Sequence, residues 1–481
     1  MKIHFIGIGG IGVSALATYC LKKGADVSGC DLVRSETTDV LKKLGVHIRI
    51  GPPRADCVPA GTDRIIYSPA VPKTHPELEI RNLSLEILSY PEALGELTKK
   101  HFTIAVAGTH GKSTTTAMLG FLLMKAGFDP TIIVGTKLKE LGGLNCRVAA
   151  SEGRASPASG RGKSKYLVIE ADEHFASFLN YWPQIAVLTS VEADHLDYYK
   201  NLKNLITAFK TFISHVSQNG WLVANKDDVH IKKIIDSINL TAVKNIRLFS
   251  AKQKEAKLLK KILKIPGEHN VSNALAALTV ARILKIPDKI SYQTLSQYKG
   301  SWRRFEVLRL SKPKPYTLVS DYGHHPTEIK ATLQAAREKW PLDPARGRPK
   351  KIWLVFQPHQ YARTYYLWDA FVSALSQLPV DKLVLTDIYD VAGRENKAIK
   401  NKVSSKKLAQ AIRNLKLKIK NYDVVYVPTA ENVKQYLRKN IHGGEVVIVM
   451  GAGDIYERLT LRLTQGKHHL TRHNGKEKID Q

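Results

Sequence analysis

The sequence predicts an α/β protein of about three domains built on parallel sheets, and three observations carry that prediction. Short continuous apolar runs, each ending in a glycine- or acid-containing turn, alternate with stretches of helical periodicity along the chain. Two of these runs lead straight into glycine loops followed by helix-like sequence, KIHFIGIGG at 2–10 and TIAVAGTHG at 103–111. The length, 481 residues, fits about three domains of roughly 100–200 residues each. Continuous rather than alternating apolar strands are those buried on both faces, as in parallel sheets sandwiched by helices.

The strands expected in order are KIHFIGIGG, TIAVAGTHG, YLVIEAD (166–172), IAVLTSV (185–191), KIWLVFQPH (351–359), KLVLTDIY (382–389) and EVVIVMGAG (445–453). They divide the chain into blocks 1–95, 96–295 and 296–481. Segment 151–165, SEGRASPASGRGKSK, reads as a polar, basic, mobile surface insertion, and the Lys- and His-rich last residues as a frayed tail.

Composition bounds the function. Hydrophobic residues make up 43%, which excludes whole-chain disorder. Lys and Arg outnumber Asp and Glu by 73 to 43, a formal charge of +30 that favours anionic partners such as phosphorylated small molecules. The charge is diffuse, over 251–264, 299–315, 346–351 and 397–420, and no RNA-binding aromatic motif or zinc-finger spacing accompanies it, which argues against nucleic acid. Four cysteines without a CxxC pair point to a reducing compartment, and the expected location is the cytoplasm. The N-terminal run resembles a signal peptide ending Ala15-Leu16-Ala17, but its glycines interrupt it. No apolar stretch of about 18 residues is present, so no membrane span is expected.

In the first loop, Gly7, Gly9 and Gly12 stand in the G-x-G-x-x-G spacing after a strand, and Asp31 follows nineteen residues past Gly12 at the end of an apparent second strand. Glycines let the backbone approach phosphates, the helix N-terminus offers free N–H groups, and a distal acid can accept from a sugar hydroxyl. A nucleotide or diphosphate site follows, without specificity for a nicotinamide cofactor.

In the second loop, Gly108-Thr109-His110-Gly111-Lys112-Ser113-Thr114 follows strand 103–107 and precedes a helix. Backbone N–H groups can wrap a β-phosphate, Lys112 can neutralise β/γ oxygens, and the Ser113 hydroxyl can ligate Mg²⁺. The spacing departs from GxxxxGK[ST], with Val106 where the first glycine would stand. Two further strands end in acids, Glu170-Ala171-Asp172-Glu173 and Glu192-Ala193-Asp194-His195. Ligands sit at the carboxyl ends of parallel strands, which makes Glu170 and His195 metal-ligand candidates, while Asp172 and Glu173 read as polar caps.

At this point the motifs spell a family. HFIGIGGIG (4–12), AGTHGKSTTT (107–116), EADE (170–173) with ASFL (176–179), DHLD (194–197), GEHNVSNALAA (267–277), RRF (303–305), DYGHHPTE (321–328) and FQPHQYART (356–364) together resemble the Mur ligases of bacterial peptidoglycan synthesis, over nearly the whole chain. The resemblance implies an N-terminal Rossmann-like domain for a UDP substrate, a central P-loop-type ATPase domain and a C-terminal Rossmann-like domain for an amino acid. It implies a soluble ATP- and Mg²⁺-dependent ligase, monomer or homodimer, which phosphorylates a carboxylate and couples it to an amine. The substrates it implies are UDP-N-acetylmuramate and L-alanine.

Carried over residue by residue, Gly9, Gly10 and Gly12 would face the UDP diphosphate, with Asp31, Ser68, His324 and His325 also assigned to the UDP substrate. Gly108, Thr109, His110, Gly111, Lys112, Ser113 and Thr114 would hold the ATP phosphates. Ser113, Glu170 and His195 would bind Mg²⁺. His269, Asn270 and Asn273 would lie near adenine, Arg304 would reach the γ-phosphate and Asp321 the ribose. His359 and Arg363 would help place the muramoyl carboxylate and the amino acid. Read by themselves, Asn270 and Asn273 are equally suited to capping a helix, Gly-His-His-Pro to a rigid turn with Pro326 at a helix start, and Arg303 and Arg304 to a solvated boundary.

Three departures stand out. The family's His-Arg-Tyr segment reads His359-Gln360-Tyr361, which leaves glycine or serine beside alanine as the amine. His174-Phe175 replaces the usual Ser-Asp after EADE. The carbamylated lysine of most sister ligases, fourteen residues past the metal histidine, is Phe209 here, in keeping with the alanine-adding branch. Three rival readings remain open at this stage: a ligase attaching a recycled peptide to the same sugar, an NAD-dependent oxidoreductase, and a nucleotide-regulated nucleic-acid-binding protein.

Overall fold

In the computed structural model, the structure is described for residues 1–80, 85–150, 166–237, 243–341, 351–391, 397–416 and 423–460. The basic insertion 151–165 and the C-terminal tail lie outside the described residues, as do parts of the basic runs at 346–351 and 397–420.

Three sheets account for the strands. The first comprises β1 (Lys2–Ile6), β2 (Asp26–Asp31), β3 (His47–Ile50), β4 (Arg64–Tyr67) and β5 (Glu86–Ser89), all parallel in the order β3-β2-β1-β4-β5. The second holds β6 (Phe102–Ala107), β7 (Thr131–Leu138), β8 (Leu144–Arg147), β9 (Tyr166–Glu170), β10 (Ile185–Leu188), β11 (Trp221–Asn225) and β12 (Asn245–Phe249). Its order is β12-β11-β10-β6-β9-β7-β8, parallel except for the β7–β8 hairpin. The third holds β13 (Glu306–Leu310), β14 (Tyr316–Asp321), β15 (Ile352–Phe356), β16 (Lys382–Leu385), β17 (Asp423–Tyr426) and β18 (Val446–Met450), in the order β13-β14-β18-β15-β16-β17. This is the α/β architecture the apolar runs predict. The strands least visible in sequence are the partly exposed ones, such as β3 and β12.

By contact the chain divides into two compact units, Met1–Glu306 with Gln334–Lys339, and Val307–Leu333 with Trp340–Gln481. In the first unit, one face of the central sheet packs Ile104, Val106 and Val168 against Met118 and Leu122 of the helix Lys112–Lys125 and Ala274 and Leu278 of the helix Glu268–Ile283. The opposite face packs Ala105, Leu167, Ile169 and Leu188 on Phe178, Phe209 and Phe212. Each fully buried Ile, Val, Leu, Met or Phe among them contributes about 1.5–3 kcal/mol. Phe209, at the family's lysine position, is wholly buried and meets Phe178 edge-on at 5.1 Å. Both central helices bury most of their circumference, as a helix between two layers must.

The first sheet is fastened to the central one. The helix Ile11–Lys22 lies against β7 and β8, and Asn145 Nδ2 donates to the carbonyl of Ile11 at 2.6 Å. In the second unit, Leu318, Trp353, Val355, Val447 and Val449 pack on Val433 and Leu437 of the helix Ala430–Asn440.

Candidate active site

The strand order of the central sheet assembles the site. β6 lies between β10 and β9, all parallel, so their carboxyl ends deliver 108–111, 170–173 and 189–195 side by side. Gly108 (φ +136) and Gly111 (φ +83) take positive-φ backbone conformations that other residues rarely adopt. A Cβ on Gly108 would strike the Thr189 hydroxyl, and one on Gly111 the Asn273 Oδ1. Thr109 and His110 are pinned to the loop after β10: the Glu192 N–H donates to Thr109 Oγ1 at 2.9 Å, and the His110 N–H to Ser190 Oγ at 2.9 Å. His110 Nε2 lies 3.2 Å from Glu192.

Lys112, the first residue of its helix, folds back over this loop. Its ammonium donates to the Gly108 carbonyl at 2.8 Å and to Glu173 Oε2 at 2.7 Å, with Asp172 at 3.6 Å. Burial alone would depress the lysine, but the charges of Glu173, Asp172 and Glu170 prevail and hold it above its ordinary value. Ser113 Oγ donates to Glu170 Oε1 at 2.9 Å, and Glu170 Oε2 accepts from the Gly135 N–H at 2.7 Å. Thr115 Oγ1 lies 3.3 Å from Asn273 Oδ1, and Asn270 Nδ2 donates to the Pro266 carbonyl at 2.7 Å. The helix cap is Gly267, so neither asparagine caps the helix Glu268–Ile283; both sit inside it.

Glu173 is the group the sequence undervalues. A turn with left-handed Phe175 (φ +52) and Ala176 (φ +53) follows it. Its carboxylate is buried between Lys112 and His195, whose Nε2 is 4.0 Å from Oε1. Its position in EADE, beside Glu170, is the only sequence signal for it. With three carboxylates around one ammonium, the most buried keeps a proton longest, and burial pushes Glu173 up to about 7 despite Lys112. Its folded value lies above the ordinary glutamate value of 4.5, so ionisation costs stability: the contribution is full below 4.5 and lost as pH rises through about 7. Glu173→Gln is therefore expected to flatten the fall in melting temperature of the nucleotide-free protein across that window, measured by thermal scans at successive pH.

His195 (φ +52) neighbours Glu173 and Asp194. Its ring stacks on His174 at 4.0 Å, and His174 on Phe175 at 4.1 Å. The His-Phe departure thus supplies an aromatic stack beside the carboxylates. Arg304 lies in the turn before β13, between left-handed Arg303 and Phe305, and His269 is the second residue of its helix.

At the first sheet, Gly9 N–H donates to Asp31 Oδ2 at 2.8 Å, so Asp31 closes onto the glycine loop itself. Ser68, at the tip of β4, touches the same loop: a Cβ on Gly7 would lie 3.1 Å from it. Gly12 makes room for Tyr90, whose hydroxyl would be 2.9 Å from an added Cβ. A capping box of Ser89 and Glu92 fixes the start of that tyrosine's helix, Tyr90–Lys100. Gly10 caps the helix Ile11–Lys22 with no side-chain bond.

In the second unit the remaining candidates gather at the carboxyl ends of β14, β15 and β16. Asp321 Oδ1 accepts from the Gly323 N–H at 2.8 Å. Glu328 accepts from the backbone of His324 and His325 at 2.8 and 3.1 Å, and Pro326 opens the helix Pro326–Lys339. The His359 ring stacks on Tyr389 at 5.5 Å and lies 5.6 Å from His324. Arg363 Nη1 is 3.3 Å from both His359 Nδ1 and Gln360 Oε1, so Gln360 is a buried acceptor for the arginine.

Three family profiles match in sequence order: Mur ligase family, catalytic domain, at 2–102; Mur ligase middle domain at 106–281; and Mur ligase, glutamate ligase domain, at 303–453. The chain is 36% identical over 477 residues to a UDP-N-acetylmuramate–L-alanine ligase of Acetivibrio thermocellus, covering 95% of this chain and 94% of that one. It is 38% identical over 476 residues to the enzyme of the same name from Clostridium acetobutylicum, covering 95% and 96%. The crystal structure of UDP-N-acetylmuramate-alanine ligase from Thermotoga maritima superposes with a TM-score of 0.74 at 26% identity, over 97% of this chain and 100% of that one. Among the described residues no helix is long and apolar enough to cross a membrane. With all three profiles in order and this identity along nearly its whole length, the chain belongs to the Mur ligase family.

Proposed function

We propose that this protein joins the amino group of L-alanine to the carboxylate of UDP-N-acetylmuramate in the cytoplasm, at the expense of ATP, as a step of peptidoglycan precursor synthesis. The observation that carries the reading is the Lys112 phosphate loop beside the Ser113–Glu170 pair, in a chain 36–38% identical to enzymes of that name. It favours a nucleotide triphosphate over a nicotinamide cofactor.

The muramoyl carboxylate attacks the γ-phosphate of ATP, the bond to the β–γ bridging oxygen breaks and ADP leaves, an acyl phosphate forms, and the amine displaces phosphate from it. Lys112 exchanges Gly108 O and Glu173 for phosphate oxygens and stays charged while doing so. Arg304 meets the γ-phosphate, and such positioned cations supply most of the catalysis of phosphoryl transfer. Asn270, Asn273 and His269 hold the adenine end, and Asp321 the ribose. Gly9, Gly10, Ser68, His324 and His325 serve the UDP substrate, and His359 with Arg363 the reacting carboxylate and amino acid. The amine must be neutral to attack, and His359 or His325 takes its proton, since an imidazole titrates near neutral pH.

Ser113 Oγ and Glu170 Oε1, hard oxygens 2.9 Å apart beside the phosphate loop, fit Mg²⁺, which takes one or two protein oxygens plus phosphate oxygens; His195 is the third candidate. Bound there, the ion would neutralise charge on the transferring phosphate. Glu170→Gln keeps the shape and removes the charge. It is expected to raise the Mg²⁺ concentration for half-maximal phosphate release by about 10–100-fold, read from a magnesium titration at saturating ATP.

The test is phosphate release with ATP, Mg²⁺ and UDP-N-acetylmuramate, adding L-alanine, glycine, L-serine or a tripeptide in turn. Turnover requiring the sugar nucleotide and L-alanine is the expected result. Turnover with glycine or serine alone would trace to Gln360, turnover with the tripeptide would make this a recycling ligase, and indifference to UDP-N-acetylmuramate would sink the substrate assignment.

A further inference from the structure

Away from the phosphate loop, the first sheet buries a second set of reactive side chains. His4 on β1 and Ser28 and Cys30 on β2 share one face, because β1 and β2 run parallel with His4 opposite Ser28 and Ile6 opposite Cys30. That face is covered by short 3₁₀ turns, Ala55–Cys57 and Pro76–Leu78. The second turn drives Glu77 inward until none of it is exposed, against His4 at 1% and Cys30 at 8% exposure.

Glu77 Oε2 lies 3.1 Å from His4 Nε2 and 3.0 Å from Cys30 Sγ, and one ligand atom from each residue falls within 4.8 Å of the others. A tetrahedral ion with bonds of about 2.0–2.3 Å separates its ligands by about 3.3–3.7 Å, so small side-chain shifts would admit one. His4 Nδ1 is held by Ser28 Oγ at 2.8 Å, the outer hydrogen bond that orients a ligating imidazole.

A closed hydrogen-bonded trio accounts for Glu77 Oε2. It does not account for Oε1, a fully buried carboxylate oxygen with no hydrogen-bond partner among the described residues, which costs free energy unless a cation or donor meets it. We propose that His4, Cys30 and Glu77 form a buried site for a thiophilic divalent cation of the zinc class, which ties the turn Pro76–Leu78 to the sheet that carries the first glycine loop. Imidazole, thiolate and carboxylate are the donors such an ion takes. The Cys30 thiol releases its proton on binding, so uptake is coupled to pH.

The test uses the full chain, stripped of metal by a chelator, with Zn²⁺ or Co²⁺ alone as the probe. Histidines of the tail can bind metal without sulfur, so the deciding readout is the thiolate-to-cobalt charge-transfer band. Expected are one equivalent of Co²⁺ with that band, its displacement by Zn²⁺, a higher melting temperature with Zn²⁺, and loss of the band in Cys30→Ala with about 100-fold weaker Zn²⁺ binding. Absence of the band in the wild type, or its persistence in Cys30→Ala, overturns the site. Should Cys30→Ala show no cooperative melting, the wild-type band decides the question by its presence or absence.

Discussion

Replacing Lys112 with alanine is expected to cut phosphate release by about 10³-fold or more, roughly 4 kcal/mol of transition-state stabilisation. The lysine is the one cation the phosphate loop itself contributes, and it is held charged by Glu173, Asp172 and Glu170. Its removal also leaves these carboxylates without their ammonium, so a lower melting temperature accompanies the loss of activity. The two effects separate on inspection. Thermal melting reads the second, and binding of UDP-N-acetylmuramate, assigned to the glycine loop of the first sheet, should persist in the folded variant. A Lys112→Ala protein that still releases phosphate at the wild-type rate would remove this loop from the chemistry.

Gly111→Ala carries the next largest effect. The residue caps the helix of Lys112 at φ +83, and a Cβ there would be driven into Asn273 Oδ1, itself on a packed helix that cannot retreat. Left-handed strain costs about 1–2 kcal/mol for a non-glycine residue, and the collision adds to it by re-aiming both the loop N–H groups and Lys112. A fall of about 10²-fold in kcat/KM for ATP is expected, with a lower melting temperature, since misplacement by about 1 Å costs that much. Gly127→Ala is the matched control. It has nearly the same φ, +81, but nothing within 4 Å of its Cβ, so it should lose stability from strain alone and keep its activity. Equal activity losses in the two variants would show that the contact with Asn273 is irrelevant.

Local chemistry in the sequence determined the strand-to-loop-to-helix units. Continuous apolar runs forecast β1, β6, β9, β10, β15, β16 and β18, because strands buried on both faces need no alternation. The glycines at 108 and 111 marked the tight turn that leads into the helix of Lys112, because positive φ and close approach are demands that few residue types meet. Pro326 at a helix start followed from its fixed φ. The weaker strands β3 and β12 escaped because half-exposed edge segments carry no distinctive apolar signal.

Only the tertiary structure decided which polar groups meet. Strand order, a non-local property, set the ends of β6, β9 and β10 side by side and so brought Glu173 and not Glu170 to Lys112, and Glu170 to Ser113. Packing of two helices far apart in sequence placed Asn273 against Gly111. Asp31, which its spacing offers to a sugar hydroxyl, accepts from the Gly9 N–H, and Gly12 admits Tyr90. The His4–Cys30–Glu77 cluster joins residues up to seventy-three positions apart. Periodicity and turn chemistry act within a few residues and can be read along the chain, whereas burial and ion pairing depend on neighbours that folding alone supplies.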